Sequence, residues 1–232
     1  MESLRNLTIE ETYELAEAIL QKDMPEIKKE LGDLLLHIVF YARIAEEQRE
    51  FDIANVMDSL CDKLVERHPH VFGETKVKDH REVEENWEEI KMKEGYKSVL
   101  SGVPDSLPAL IKSNRIQQKV RGVGFDWDRK EQIWDKVKEE LNELQQELAE
   151  EKKEEIESEF GDLLFSIINA ARLYDIDPEN ALEKTNQKFI KRFKYLEENT
   201  IKRGRSLKDM SLDEMNVIWE KAKKEDGKKD GE

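Results

Sequence analysis

Carboxylates three residues apart occur twice in the second half of the chain, each time within a stretch of helical periodicity. Glu140 and Glu143 form one pair, and Glu159 and Asp162 form the next. A spacing of three places both acids of a pair on one face of a helix. If the two helices pack antiparallel, four carboxylates converge and repel one another. A divalent cation relieves that repulsion, and oxygen ligands without cysteine favour Mg²⁺ or Mn²⁺.

The first half of the chain carries the same pattern. The gap between the second and third acid is 16 residues in both copies, and an apolar run follows the last acid each time. The first-copy residues are Glu11, Glu14, Glu30 and Asp33. A single Glu-x-x-Glu in so acidic a chain is usually a solvated helix face. The identical gap in two copies favours a metal site in at least one of them.

The duplication extends beyond the acids. Both copies continue with a basic pair one helical turn apart, then with a tryptophan followed four residues later by a lysine. These residues are Lys63, Arg67, Trp87 and Lys91 in the first copy, and Lys188, Arg192, Trp219 and Lys223 in the second. One interpretation is a phosphate clamp opposite the metal, because Arg offers a bidentate fork and Lys a point charge. The alternatives are charge pairing within the helix and a packing role for the tryptophan.

The repeat also sets the expected organisation. We predict an N-terminal repeat over residues 1–94, a Gly- and Pro-containing linker over 95–106, a C-terminal repeat over 107–224 and a disordered, charged tail over 225–232. Each repeat should hold a helix with Glu-Glu-x-x-Glu, a short turn, a long helix starting near Glu-x-Gly-Asp, a third helix with Lys-x-x-x-Arg and a late short helix with the tryptophan. Because the first connection is short, the first two helices should be antiparallel.

Composition narrows the class of protein. Charged residues make up 40% and apolar residues 38% of the 232 positions, with ten Gly and five Pro, which is typical of an all-α protein. A net charge of −15 argues against a partner such as duplex nucleic acid. The single Cys61 fits a reducing compartment. With no apolar stretch of membrane-spanning length and no signal pattern, we expect a cytoplasmic protein that does not bind membranes.

At this point the chain resembles the MazG-type nucleoside triphosphate pyrophosphohydrolases. The resemblance rests on Glu-Glu-x-x-Glu, a spacer of 15 residues and Glu-x-x-Asp, with "ERHPHVFG" (66–73), "SLPAL" (106–110) and "GVGFDW" (122–127), and covers nearly the whole chain. The tandem arrangement is similar to the two-repeat members. The resemblance implies tandem all-α helical-bundle repeats, a homodimer, and Mg²⁺-dependent hydrolysis of NTPs and dNTPs to a monophosphate and pyrophosphate.

The resemblance also assigns residues. Metal ligands would be Glu140, Glu143, Glu159 and Asp162, and the substrate side would be Lys188, Arg192, Trp219 and Lys223. Catalysis would need a general base, for which Glu139 and Glu140 are both candidates, with Lys188 and Arg192 stabilising the transition state.

One departure concerns the first repeat. The segment that two-repeat members normally carry before the first Glu-Glu-x-x-Glu is absent from this sequence, and Phe40 stands where the second repeat has Asn169. We therefore expect the second repeat to be the active copy, and Glu11, Glu14, Glu30 and Asp33 to be the less active set.

Other functions remain open at this point. Within the same superfamily the alternative is a base-selective dUTP or dCTP pyrophosphatase. Outside enzymes, the acids could be the surface of a helical adaptor, which would show no Mg²⁺-dependent thermal shift. A di-iron bundle is disfavoured because no Glu-x-x-His occurs in the paired helices. Two histidines around Pro69 do not make a zinc site.

Overall fold

The computed structural model describes residues 1–73 and 98–229. Over those ranges the chain forms helices and turns without strands, which confirms the all-α prediction. It divides into two compact units, Met1–Ser101 and Gly102–Glu232. The division falls within the segment predicted to be a linker. Trp87 and Lys91 lie outside the described residues.

The first unit is built on a helical hairpin. Its helices are α1 (Glu2–Gln21), α2 (Met24–Glu47), α3 (Ile53–Arg67) and α4 (Pro69–Phe72). Helix α1 is followed by Lys22, which adopts the left-handed conformation with φ 57°. The Asp23 side chain then caps α2 by accepting the backbone N–H of Glu26. The turn is therefore two residues long, so α2 folds back along α1.

The second unit repeats the hairpin and adds helices around it. Its helices are α5 (Ala109–Arg121), α6 (Ile133–Glu150), α7 (Lys153–Leu173), α8 (Pro178–Thr200) and α9 (Leu212–Lys229). Helix α6 is followed by Glu151, again left-handed with φ 58°, so both copies use the same turn. Helix α7 packs against α6 and α5, and α9 packs against α8.

Three element boundaries differ from those predicted. In each copy the long helix begins before the Glu-x-Gly-Asp motif, at Met24 and at Lys153, because lysines and glutamates sustain helix ahead of the motif. The last helix is not short: α9 has 18 residues and continues to Lys229, past the predicted start of a disordered tail at residue 225.

Each unit has a small core. In the first unit, Ala18 on α1 and Ala42 and Ala45 on α2 are buried. In the second, Ile133 at the start of α6 is fully buried, and Leu144 and Ile168 are nearly so. No helix among the described residues is long and apolar enough to cross a membrane.

Candidate functional site

Three carboxylates of the second unit meet between α6 and α7. Glu140 from α6 and Glu159 and Asp162 from α7 each present an oxygen, and these atoms lie within 4.8 Å of one another. Glu140 is buried, Glu159 is half-buried and Asp162 is exposed. Glu143, the fourth acid that the sequence grouped with them, lines the same pocket but lies outside this trio and is exposed. The hairpin thus brings together the acids of both motifs.

The trio is electrostatically strained. Burial, followed by the charges of Glu143 and Asp162, raises the pKa of the Glu159 carboxyl above its ordinary value. One Glu159 oxygen, Oε2, is buried and accepts no hydrogen bond from the residues that the structure describes. An unpartnered buried carboxylate oxygen is unfavourable without a cation or donor. The donor set therefore fits a hard divalent cation.

A lysine partly offsets the charge of the trio. Lys136, one turn before Glu140 on α6, donates from Nζ to Glu140 at 2.6 Å and to Glu139 at 2.9 Å. The bonds to Glu140 and then Glu139 raise the pKa of Lys136, so it stays cationic. Sequence reasoning missed Lys136, although its spacing of four from Glu140 is a readable signal. Glu139 itself is exposed and does not line the pocket.

A pocket of about 830 Å³ extends from the carboxylates along α7. Lys136 and the acids line one part. The other part is mainly apolar, with a few polar groups, and is walled by α5, α7 and the segment 124–127. Its residues are Ile116, Gln117, Val120, Gly124, Phe125, Asp126, Trp127, Ile133, Phe165, Ser166, Asn169 and Arg172. This size and mixture of groups suit a small organic ligand with a charged end.

A buried ion pair lines the far part of the pocket. Arg172 donates to Asp126 through Nη1 at 3.1 Å and Nη2 at 2.6 Å, and to Asn169 Oδ1 through Nε and Nη2. Burial alone would raise the pKa of Asp126, but the bonds to Arg172 and to the Trp127 N–H, with the charges of Arg172 and Arg121, lower it overall. The pair fixes the segment that holds Phe125 and Trp127. Sequence reasoning noted "GVGFDW" only as a family resemblance and missed the pairing.

The predicted basic residues lie elsewhere in the unit, on α8 and α9. Arg192 donates from Nε to Asp226 Oδ2 at 2.9 Å, and Lys191 also contacts Asp226. The bonds from Lys191 and then Arg192 lower the pKa of Asp226. Lys188 is exposed. The Arg192 guanidinium is therefore held on the α8–α9 face.

The predicted tryptophan and its lysine share that face. Trp219 packs against Phe189 with ring centroids 5.0 Å apart, and Lys223 pairs with Glu220 at 2.6 Å. None of Lys188, Arg192, Trp219 and Lys223 is among the residues that line the pocket.

The first unit carries a related acidic cluster. Oxygens of Glu11, Glu14 and Glu30 lie within 4.8 Å of one another, and Asp33 lies outside this set. Glu30 is 1% exposed, and within the described ranges its Oε2 accepts no hydrogen bond. Its Oε1 accepts a bond from Lys29 at 2.8 Å, and Lys29 is the main cause of the lowered pKa of Glu30. Burial, then the contact with Glu30, raises the pKa of Glu11.

Comparison with known proteins gives a consistent result. The model of the MazG nucleotide pyrophosphohydrolase domain matches residues 1–72 and 129–196. A Thermotoga maritima protein named nucleoside triphosphate pyrophosphohydrolase/pyrophosphatase MazG is 44% identical over 225 residues, which cover 96% of this chain and 86% of that protein. An Escherichia coli K12 protein named nucleoside triphosphate pyrophosphohydrolase is 39% identical over 225 residues, which cover 94% of this chain and 86% of that protein.

A third relative is longer. The uncharacterized protein YabN of Bacillus subtilis is 44% identical over 226 residues, which cover 96% of this chain but 46% of YabN. With the family model matched in both repeats and two relatives aligned along most of their length, the chain belongs to the MazG nucleotide pyrophosphohydrolase family.

Proposed function

We propose that this protein hydrolyses nucleoside triphosphates, both NTPs and dNTPs, to the nucleoside monophosphate and pyrophosphate, using Mg²⁺ or Mn²⁺, in its second unit. The observation that carries the proposal is the carboxylate trio at one part of a pocket that is mainly apolar elsewhere. A nucleotide has the same division between a charged polyphosphate and a flat, largely apolar base. The names of the Thermotoga and Escherichia relatives support this reaction.

Glu140, Glu159 and Asp162 would hold the cation, with Glu143 beside them in the pocket. When bound there, the cation would lower the pKa of a ligated water and neutralise phosphate oxygens. Of the two general-base candidates, Glu140 lines the pocket and Glu139 does not, so we propose Glu140 as the proton acceptor. Lys136, already in the pocket, would exchange a carboxylate partner for a phosphate oxygen.

The basic residues of α8 and α9 do not line the pocket, so they would have to contact the substrate in another way. We propose that Lys188, Arg192, Trp219 and Lys223 bind nucleotide in the site of a second copy, within a homodimer. Support comes from their lying outside the set of pocket-lining residues and from apolar side chains left exposed on α7 and α8. These include Phe160, Leu164 and Ile167 on α7 and Phe189 and Ile190 on α8, each between 46% and 57% exposed.

Mixing two inactive variants tests this arrangement. Glu159→Gln and Arg192→Ala should each be inactive alone. If the site is shared between copies, unfolding and refolding the two together should restore part of the activity, since some heterodimers carry one intact site. No recovery, with heterodimers detected by mass, would place Arg192 in its own unit's site. Leu164→Glu should convert the dimer to a monomer in light scattering.

The reaction itself is tested by product analysis. The protein should release pyrophosphate and a monophosphate from a panel of NTPs and dNTPs with Mg²⁺, and none with EDTA. Glu159→Gln should abolish release and remove the Mg²⁺-dependent thermal shift, while the exposed neighbour Glu157→Gln should retain both. Release of orthophosphate instead would contradict the proposal. Hydrolysis confined to dUTP or dCTP would favour the base-selective pyrophosphatase. If Mg²⁺ changed neither hydrolysis nor thermal stability, the non-catalytic adaptor would be favoured.

The same panel tests the two repeats separately. In the first unit Glu30 pairs with Lys29, and we propose that the second unit carries the main activity. Glu30→Gln should therefore leave most pyrophosphate release intact. A loss as complete as that of Glu159→Gln would place catalysis in both units.

A further inference from the structure

The polar groups in the far part of the pocket are not used by the phosphate chemistry. Asn169 and Arg172 follow Asp162 on the same face of α7, and Gln117 lies across the pocket on α5. Asn169 is two helical turns from Asp162, about 10 Å along the axis. This separation is comparable with the distance between the α-phosphate and the base of a nucleotide. The question is what these polar groups recognise.

The orientation of the Asn169 amide is fixed. Arg172 donates to its Oδ1 from Nε at 3.2 Å and from Nη2 at 2.7 Å. A guanidinium has no acceptor, so the atom facing it must be the amide oxygen. Arg172 is itself held by Asp126. The Asn169 Nδ2 group therefore faces away from Arg172 and, among the described residues, has no acceptor in its hydrogen-bond range.

The orientation of the Gln117 amide is fixed in the opposite sense. Its Nε2 donates to the backbone carbonyl of Phe165 at 2.9 Å, which makes the remaining atom, Oε1, an acceptor. Gln117 is 3% exposed, and its Oε1 is buried with no hydrogen-bond partner in the described part of the chain. Buried acceptors without partners are unfavourable and mark places where a ligand or water completes the bond. Gln117 also lines the pocket, so a ligand bound there would lie beside it.

The equivalent positions of the first unit do not form this arrangement. Phe40 stands in the place of Asn169, and Arg43, in the place of Arg172, is 62% exposed and pairs with Glu46 and Glu47 of its own helix. Both repeats keep the arginine, but only the second buries it against an aspartate and an amide. Because both repeats share the hairpin, the burial of this arginine is specific to the second unit's pocket and does not follow from the hairpin fold.

We infer that the far part of the pocket is a nucleobase subsite in which Asn169 donates to a ring nitrogen or carbonyl oxygen and Gln117 Oε1 accepts from an amino or ring N–H group. The inference rests on the proposed function. Arg172 and Asp126 are positioning residues that orient Asn169. Adenine, cytosine, guanine and uracil all carry a donor beside an acceptor on one edge. One donor and one acceptor therefore select for a base with a polar edge without selecting which base.

Three triphosphates that differ at one edge test the two contacts separately. ATP offers an amine and ring nitrogens, purine riboside triphosphate lacks the amine, and benzimidazole riboside triphosphate also lacks the nitrogens of the six-membered ring. The wild-type kcat/KM for Mg²⁺-dependent pyrophosphate release should fall by about tenfold at each step, as expected for a lost hydrogen bond to a buried group. In Gln117→Leu, kcat/KM should be the same for ATP and purine riboside triphosphate. In Asn169→Leu, kcat/KM should be the same for purine riboside triphosphate and benzimidazole riboside triphosphate.

Matched controls separate recognition from folding. The exposed neighbour Gln118→Leu should keep both steps. Asn169→Asp keeps the size and the contact with Arg172 but removes the donor, so it should also erase the second step while keeping the circular dichroism of the wild type. Arg172→Lys should reduce the difference in kcat/KM between purine riboside and benzimidazole riboside triphosphate, without removing metal binding.

The possible outcomes are distinguishable. If the wild type hydrolyses none of the three compounds, the proposed function fails and the subsite fails with it. If the wild type hydrolyses all three at similar kcat/KM, or if folded Asn169 and Gln117 variants lower all three equally, the base subsite is wrong while the reaction stands.

Discussion

Replacing Asp126 by Asn tests whether the buried ion pair stabilises the second unit. The Asp126 and Arg172 side chains are 14% and 6% exposed. Removing one partner of a buried pair costs about 3–5 kcal/mol because the other charge is left uncompensated. Asn still accepts one hydrogen bond, and Asp126 keeps some contact with water. We therefore expect a smaller loss in the free energy of unfolding, about 2 kcal/mol.

Urea titration followed by tryptophan fluorescence measures this loss, because Trp127, Trp134 and Trp219 all lie in the second unit. At about 4 °C per kcal/mol for a unit of this size, the melting temperature should fall by about 8 °C. Replacing both members of the pair, Asp126→Leu with Arg172→Met, should cost less than the sum of the single changes.

The difference between wild type and Asp126→Asn should depend on pH. The folded-state pKa of Asp126 lies below its ordinary value. Between the folded and unfolded pKa values of Asp126 the unfolded chain therefore binds more protons than the folded one, so the free energy of unfolding rises with pH. The advantage of the wild type should be complete above about pH 5 and should vanish as pH falls through the folded pKa of Asp126. A difference under about 0.5 kcal/mol at pH 7, or no change with pH, would refute the reasoning.

Three further changes probe other parts of the fold. Ile133→Ala should destabilise the second unit by about 2–4 kcal/mol in urea, because the side chain is fully buried, while the exposed Val217→Ala should change it by less than about 0.5 kcal/mol. Asp226→Asn should release Arg192, so the last turns of α9 should exchange amide protons faster; unchanged exchange would show that the pair does not hold the helix. Asp23→Ala removes the cap of α2 and should lower first-unit stability by about 1 kcal/mol in thermal unfolding.

Local spacing explains why so much of the architecture could be predicted. The hairpin follows from two periodic segments and a two-residue turn, and the convergence of Glu140 with Glu159 follows from folding the second helix back on the first. Even the turn conformation repeats, with Lys22 and Glu151 in the same left-handed region. The spacing does not predict which three of the four acids meet, because that depends on how the two helices are rotated relative to each other. Glu143 and Asp33 are therefore not among the three acids that meet in their units.

The sequence by itself determined the helices, the duplication and the carboxylate motifs, because these depend on residues a few positions apart whose side chains share a helix face. Only the tertiary structure decided that Asp126 meets Arg172, 46 residues away, and that Gln117 bonds the Phe165 carbonyl. Such contacts depend on how helices pack, and no spacing along the chain encodes them. The same holds for Arg192: its periodicity predicted a basic face on α8, but packing against α9 turned that face toward Asp226 and away from the pocket lining.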